Sequence, residues 1–134
     1  MNLYTLHLIS TSIMVGVIWL VQVVHYPSFH FINKNSYPDF QNFHIKKISF
    51  VVIPVMLIES ASGLSLIFFR YRLSTSILIS FGFLILIWII TALFFSKSHQ
   101  DLTKGYNKGI VDKIVYLNWI RTSLWSIRLI LLLF

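Results

Sequence analysis

The sequence predicts an all-α membrane protein, built as an antiparallel bundle of four transmembrane helices with a short interfacial helix in the first loop. Hydrophobic residues make up 57% of the 134 residues, and charged residues make up 11%, whereas a soluble domain carries about 25% charged residues. Mean hydropathy is +0.79. Four apolar runs reach the length of about 20 residues that crosses a hydrocarbon core. The absence of cysteine excludes a disulfide scaffold.

The four predicted spans are residues 3–24, 48–69, 73–96 and 114–134. The first and third carry no formal charge, the second carries Glu59, and the fourth carries Arg121 and Arg128. Each span should be helical, because an unpaired backbone amide in lipid costs several kcal/mol. Short connections make sequential helices antiparallel, so we expect residues 1–134 to form a single domain.

The first loop shows a helix signal of its own. Residues 36–39, Ser-Tyr-Pro-Asp, combine a cap residue with proline in the first turn. Phe40, Phe43 and Ile48 then recur at helical spacing. This stretch is therefore predicted to form a short interfacial helix that leads into the second span.

The distribution of lysine and arginine predicts the orientation in the membrane. One side of the predicted bundle collects Lys34, Lys46, Lys47, Lys97, Lys104, Lys108 and Lys113. The other side has Arg70 and Arg72. By the positive-inside rule the lysine-rich loops are cytoplasmic and both termini lie outside, as in a bacterial inner membrane protein. The charges are not gathered on a polar domain, so nucleic acid is not the expected partner.

Three ionisable groups lie at predicted membrane depth, where each costs about 2.5–3.5 kcal/mol unless it meets a partner or a cavity. Asn118, Arg121, Trp125 and Arg128 are spaced three, four and three residues apart and so form one helical stripe. Counted along its helix, Glu59 lies nearer in membrane depth to Arg128 than to Arg121, which predicts that Arg128 pairs with Glu59. Arg121 is then left for a carbonyl, a water molecule or an anionic ligand.

We expect these groups to line one intramembrane pocket. Its predicted residues are His7, Gln22, Glu59, Asn118, Arg121, Trp125 and Arg128. The leading hypothesis is a site for a small anionic or apolar ligand or a cofactor, with haem and linked redox chemistry as one candidate. The alternative is a non-enzymatic transporter, channel or accessory subunit, expected to self-associate, in which the charges are structural. Whether the protein is an enzyme stays open.

The five histidines add two further candidates. His7 and His25 are 18 residues apart, which is five helical turns, so both face one side of the first helix. They are candidate haem or metal ligands. His30, His44 and His99 join His25 on the predicted cytoplasmic side, where two or three of them could hold a metal. The alternative is that all are ordinary buried or interfacial histidines.

The first helix resembles those of several small membrane families. The matching residues are 6–8 (Leu-His-Leu), Gly16, Trp19 and 23–27 (Val-Val-His-Tyr-Pro). They are similar to the cisplatin-resistance-associated transmembrane protein family, the haem-containing membrane protoporphyrinogen oxidase family and copper-resistance membrane domains. The resemblance implies a four-helix fold, and it places His7 at the haem-linked histidine of the oxidase family.

Two later segments carry related resemblances. Pro54, Met56 and Gly63 are similar to the pattern of proline, methionine and glycine in the second helix of the oxidase family. Residues 117–122, Leu-Asn-Trp-Ile-Arg-Thr, resemble the last helix of small membrane proteins related to anthrone oxygenases. Both imply the same helical membrane fold.

Overall fold

The computed structural model describes residues 2–69 and 74–134, and these ranges are almost entirely helical, with no strand in either. The four long helices are α1 (Leu3–Phe31), α2 (Lys34–Phe69), α3 (Thr75–Leu102) and α4 (Lys108–Leu133). The predicted all-α class is confirmed.

Three helices of the described ranges, α1, α2 and α3, are long and apolar enough to cross a membrane. This property indicates a membrane protein, as predicted. The fourth helix differs because it carries charged residues along its length, including Asp112, Lys113, Arg121 and Arg128.

The helices extend beyond their predicted ends, and the loops are correspondingly shorter. Only residues 32 and 33 separate α1 from α2, whereas the prediction left 25–47 as the first loop. In α1 a wider π-helical turn, Val21–His25, ends two residues before Pro27. Such a turn accommodates a proline, which lacks the amide hydrogen that a regular helix would use.

The short helix predicted in the first loop is not a separate element. Tyr37–Phe69 is one continuous α-helix that contains Pro54. The prediction placed a boundary near Ile48 because the flanking lysines lower the hydropathy there. Helical hydrogen bonding does not depend on hydropathy, so the backbone continues through the polar stretch.

The second half of the chain shows the same extension. Helix α3 passes through a π-helical turn, Thr91–Phe95, and ends at Leu102. Helix α4 begins after Asn107, whose side-chain oxygen accepts a hydrogen bond from the Ile110 amide at 3.1 Å. Arg70, Arg72 and Leu73, which the predicted orientation and third span include, lie outside the described residues.

The core has apolar layers separated by polar groups. One layer lies nearest the lysine-rich loops and contains Tyr26, Phe29, Tyr37, Phe95, Leu102 and Ile114. The central layer contains Met14, Ile18, Met56, Ile87 and Trp125. Helix α4 turns Ile120 and Ile127 outward, each 43% exposed, and its polar stripe inward. The prediction that this stripe faces the bundle interior is confirmed.

Candidate functional site

One group of buried polar residues, here called the Glu59 cluster, comprises His7, Glu59, Ser62, Ser80, Trp125 and Arg128. Arg128 Nη1 lies 2.5 Å from Glu59 Oε1, and both side chains are fully buried. Arg128 Nε also donates to the Ser80 carbonyl oxygen at 2.8 Å. Trp125 Nε1 donates to the other Glu59 oxygen at 3.3 Å. The predicted Arg128–Glu59 pair is confirmed.

His7 completes the Glu59 cluster from α1. Its Nδ1 lies 2.9 Å from Ser62 Oγ, which in turn donates to the Glu59 carbonyl oxygen at 3.2 Å. Gly63 allows the close approach, because a Cβ at this position would lie 2.9 Å from His7 Cε1 and from Phe81 Cδ2. His7 is therefore held tightly by protein atoms between α1 and α2.

A second group, here called the Arg121 cluster, comprises Gln22, Asn118 and Arg121 and lies nearer the lysine-rich loops. Asn118 Nδ2 donates to Gln22 Oε1 at 2.9 Å, and Arg121 Nη1 donates to Asn118 Oδ1 at 3.3 Å. Gln22 Nε2 donates to the Val115 carbonyl oxygen at 3.2 Å. This chain of amides fixes the position of the arginine without supplying any negative charge.

The charge of Arg121 is surrounded by aromatic rings. Its guanidinium carbon lies 4.3 Å from the ring centre of Phe95 and 5.3 Å from that of Trp125. Such cation–π contacts stabilise a buried cation only in part. Arg121 is 5% exposed, and its Nε has no hydrogen-bond partner within the described residues.

Arg121 forms part of the wall of a cavity of about 380 Å³, a size typical of small-molecule sites. Helices α1, α2 and α3 supply the rest of the lining, which is mostly apolar and includes Met14, Ile18, Val52, Met56, Trp88 and Phe95. The exposed lining residues are Ile53 on α2 and Ala92, Ser96 and Gln100 on α3, so the cavity reaches the outer surface beside these two helices.

Of the seven residues predicted to line one pocket, only Arg121 lines this cavity. His7, Gln22, Glu59, Asn118, Trp125 and Arg128 are all buried, and they contact protein groups in the two clusters. The structure therefore does not bring these seven residues together around one cavity. Sequence reasoning missed most of the cavity wall, because its apolar residues look like any other core positions.

The polar end of the cavity is formed by His99, predicted only as one of several clustered histidines, and by Tyr26, which was not predicted as a site residue. His99 and Tyr26 both line it, and the Tyr26 hydroxyl oxygen lies 3.2 Å from His99 Nε2. Gln41 Nε2 donates to His99 Nδ1 at 2.7 Å. Nearby, His25 Nε2 and His44 Nδ1 are 2.8 Å apart.

His7 and His25, the predicted haem or metal ligands, lie in different environments, one bonded to Ser62 and the other to His44. His30 is bonded to Asp112 and Tyr106. Within residues 2–69 and 74–134, no group of three or more histidine, aspartate or glutamate side chains is arranged to hold a metal ion. The haem hypothesis stays a prediction, carried by the resemblance at His7.

Known proteins provide no guide to this site. No protein-family model matches the chain, no curated protein matches its sequence, and no solved structure matches its fold. The resemblances of His7, Gly63 and residues 117–122 to known families therefore stay predictions.

Proposed function

We propose that this chain is an integral membrane protein that binds an anion with an apolar tail, with the charged group of the ligand at Arg121. The observation that carries the proposal is a buried guanidinium, unpaired by any acid of the described chain, in the wall of a mostly apolar cavity. An anionic ligand is one of the three partners that the sequence left open for Arg121, beside a carbonyl and a water molecule.

The need for a counter-ion supports an anionic ligand. Burying an arginine without a compensating charge is costly, and the acidic residues of the chain are engaged or distant. Glu59 pairs with Arg128, Asp101 with Lys104 and Asp112 with His30, while Asp39 is exposed at the start of α2. A ligand anion would supply the missing charge, and one guanidinium matches one negative charge.

The position of the opening supports entry from the lipid. Ile53 at the cavity is 46% exposed, and Leu57 and Leu93, close to it in sequence on α2 and to Ala92 on α3, are 55% and 63% exposed. The exposed lining residues Ser96 and Gln100 are polar and lie toward the end of α3. Transfer of an apolar tail from the acyl chains into a cavity lined by Met56 and Trp88 would cost little free energy, because both environments are apolar. The charged group of the same molecule would gain the contact with Arg121.

The proposed membrane arrangement is a four-span antiparallel bundle with α4 as the fourth span. Both arginines of α4 face the interior, and its outer face presents Ile120, Ile127 and Ile130, so the charges would not contact lipid. The lysine-rich loops would be cytoplasmic and both termini outside. The first turns of α2 would lie at the interface, with Lys46 and Lys47 extended toward headgroups.

The Glu59 cluster supports the structural alternative for the other charges. Its ion pair is fully buried, and Glu59 is bonded on both carboxylate oxygens. We therefore assign Glu59 and Arg128 to a structural link between the side chains of α2 and α4 across the bundle interior. A transporter or accessory subunit would use the Arg121 cavity in the same way, so the proposed binding does not depend on whether a reaction follows.

The test is photolabelling of the full-length protein in phosphatidylcholine nanodiscs with two probes, a diazirine-bearing decanoate and the matching uncharged decanol. We expect decanoate to label cavity residues such as Met56 and Trp88. Arg121→Met should reduce decanoate labelling about tenfold, since a bond to a charged group contributes about 1.5–3 kcal/mol. Labelling by decanol should stay nearly unchanged.

The matched control is Lys113→Met, which removes an exposed positive charge of the same helix outside the cavity lining. It should leave labelling by both probes unchanged. Decanoate labelling that is spread over the exposed surface, or that is equal in wild type and Arg121→Met, would refute the proposed function.

A further inference from the structure

Three histidines from three helices form a row of contacting rings that reaches the polar end of the cavity. The ring centres of His25 on α1 and His44 on α2 are 4.6 Å apart, and those of His44 and His99 on α3 are 5.1 Å apart. His99 is the member of this group that lines the cavity. It is therefore the titratable imidazole placed to respond to a ligand.

The hydrogen bonds of His99 define its hydrogen position. Gln41 Nε2 can only donate, so His99 Nδ1 accepts from it, and the ring hydrogen is on Nε2, where it is donated to the Tyr26 hydroxyl oxygen. In this arrangement His99 is neutral. Gln41 Oε1 is buried and has no hydrogen-bond partner within the described ranges.

The same residues also accommodate a cationic His99. A 180° turn of the Gln41 amide exchanges its nitrogen and oxygen and places Oε1, an acceptor, opposite His99 Nδ1. A protonated ring would then donate from Nδ1 to Gln41 and from Nε2 to Tyr26, with both bonds satisfied. One amide rotation therefore separates the two charge states, and the unpartnered Gln41 oxygen acquires a donor.

Positive charge close to His99 disfavours a second cation on its ring. Arg121, from α4, lies near enough to interact electrostatically with both Tyr26 and His99. The other groups that face His99 are His25 and His44, which supply no negative charge. An anion on Arg121 would be the first negative charge at this end of the cavity and would favour a cation nearby.

We propose that binding of a singly charged, apolar-tailed anion at Arg121 is coupled to uptake of one proton by His99, with the Gln41 amide turning to accept from Nδ1. This inference rests on the proposed function. The proton comes from water, or from the ligand's own acidic group if the ligand enters as a neutral acid. The site would thus hold a weak acid as an anion together with its proton.

The experiment measures proton uptake during binding to the full-length protein in uncharged detergent micelles. The probe is decanesulfonate, which stays anionic near neutral pH, so any proton taken up must go to the protein. Calorimetric titration in phosphate and in Tris buffer, which differ in ionisation enthalpy, yields the number of protons per bound anion. Empty micelles are the blank.

We expect uptake of about one proton per decanesulfonate in the wild type and almost none in His99→Gln. His30→Gln is the matched control, because His30 is bonded to Asp112 and Tyr106 rather than to cavity residues. It should keep the full uptake. Gln41→Leu removes the acceptor for Nδ1 and should lower uptake while decanesulfonate still binds, which provides a second test if His99→Gln does not fold.

The outcomes separate this inference from the function on which it rests. Binding that requires Arg121 but shows the same heat in both buffers would overturn proton coupling alone. Equal uptake in wild type and His99→Gln would do the same. Absence of decanesulfonate binding, or equal binding by Arg121→Met, would overturn the proposed function as well.

Discussion

Arg121 and Arg128 are two turns apart on one face of α4, yet their surroundings differ. Arg128 contacts a carboxylate at 2.5 Å and a carbonyl oxygen at 2.8 Å. Arg121 contacts one amide oxygen at 3.3 Å and two aromatic rings. A buried charge therefore acquires its role from the neighbouring helices, since the two arginines are equivalent in their own helical pattern.

The difference arises from what the neighbouring helices place at each height. At Arg128, α2 provides Glu59, and the small residue Gly63 lets α1 and α3 side chains approach closely. At Arg121, α3 provides Phe95, and the guanidinium forms part of the cavity wall. Thus Arg128, which has a counter-ion, lies in a closely packed region, whereas Arg121, which has none among the described residues, lies beside a cavity.

The largest loss of stability is expected on replacing Arg128, if its role is structural. Arg128→Met should destabilise the protein by about 3–5 kcal/mol, because it leaves the fully buried Glu59 without a counter-charge. Arg121→Met should cost much less, since no acid loses its partner. Chemical denaturation in detergent measures both free energies of unfolding.

The double variant Glu59→Met with Arg128→Met sharpens the same test. It should recover much of the stability lost in Arg128→Met, because an apolar pair of similar size replaces the ion pair. Equal losses in the two single arginine variants would contradict the distinction between the clusters.

The next effect concerns the close packing of the Glu59 cluster. Gly63→Ala should destabilise by about 1–3 kcal/mol, because the added Cβ would lie 2.9 Å from both His7 and Phe81. Gly16→Ala and Gly82→Ala are matched controls, since a Cβ there meets nothing within 4 Å. These should be neutral or stabilising by up to about 1 kcal/mol. A loss in the controls as large as in Gly63→Ala would argue against tight packing.

Trp125 touches both clusters, and its replacement separates the two contacts. Trp125→Phe removes the 3.3 Å hydrogen bond to Glu59 but keeps a ring beside Arg121. We expect a loss of about 1 kcal/mol in the free energy of unfolding, measured by the same denaturation. Decanoate labelling should be retained, and its disappearance would show that the clusters are coupled.

The smallest effect is expected at the surface. The Asp112 carboxylate lies 3.1 Å from His30, and its side chain is 54% exposed. Asp112→Asn should change the free energy of unfolding by no more than about 1 kcal/mol, as is usual for exposed pairs. A loss comparable to that of Arg128→Met would mean that burial does not distinguish the two ion pairs.

Much of the fold and part of the site were predictable from local pattern. The apolar runs predicted four helices, and the spacing of Asn118, Arg121 and Arg128 predicted an inward stripe on α4. Depth along the helices predicted the Arg128–Glu59 pair. Helix ends were predicted too short, because hydropathy marks the apolar part of a helix rather than the extent of its hydrogen bonding.

The division of the seven predicted pocket residues between two buried clusters and a cavity wall was not predictable from the sequence. Depth and helical face place a side chain to within a turn, but they do not determine whether neighbouring helices close around it. Thus Glu59 and Arg121 were assigned to one pocket, whereas only Arg121 lines the cavity. The role of Gln41 and His99 was also missed, since residues 58 apart in the chain share no local signal.

Two properties follow from local sequence pattern: the helices are apolar outside, and α4 carries its arginines on one inward face. Helical periodicity and the cost of exposing charge to lipid are enough to predict both. Which arginine meets a carboxylate and which meets a cavity is a property of the folded bundle. That outcome depends on the separation and rotation of neighbouring helices, which the packing of residues far apart in sequence, such as Gly63, Phe81 and Phe95, establishes.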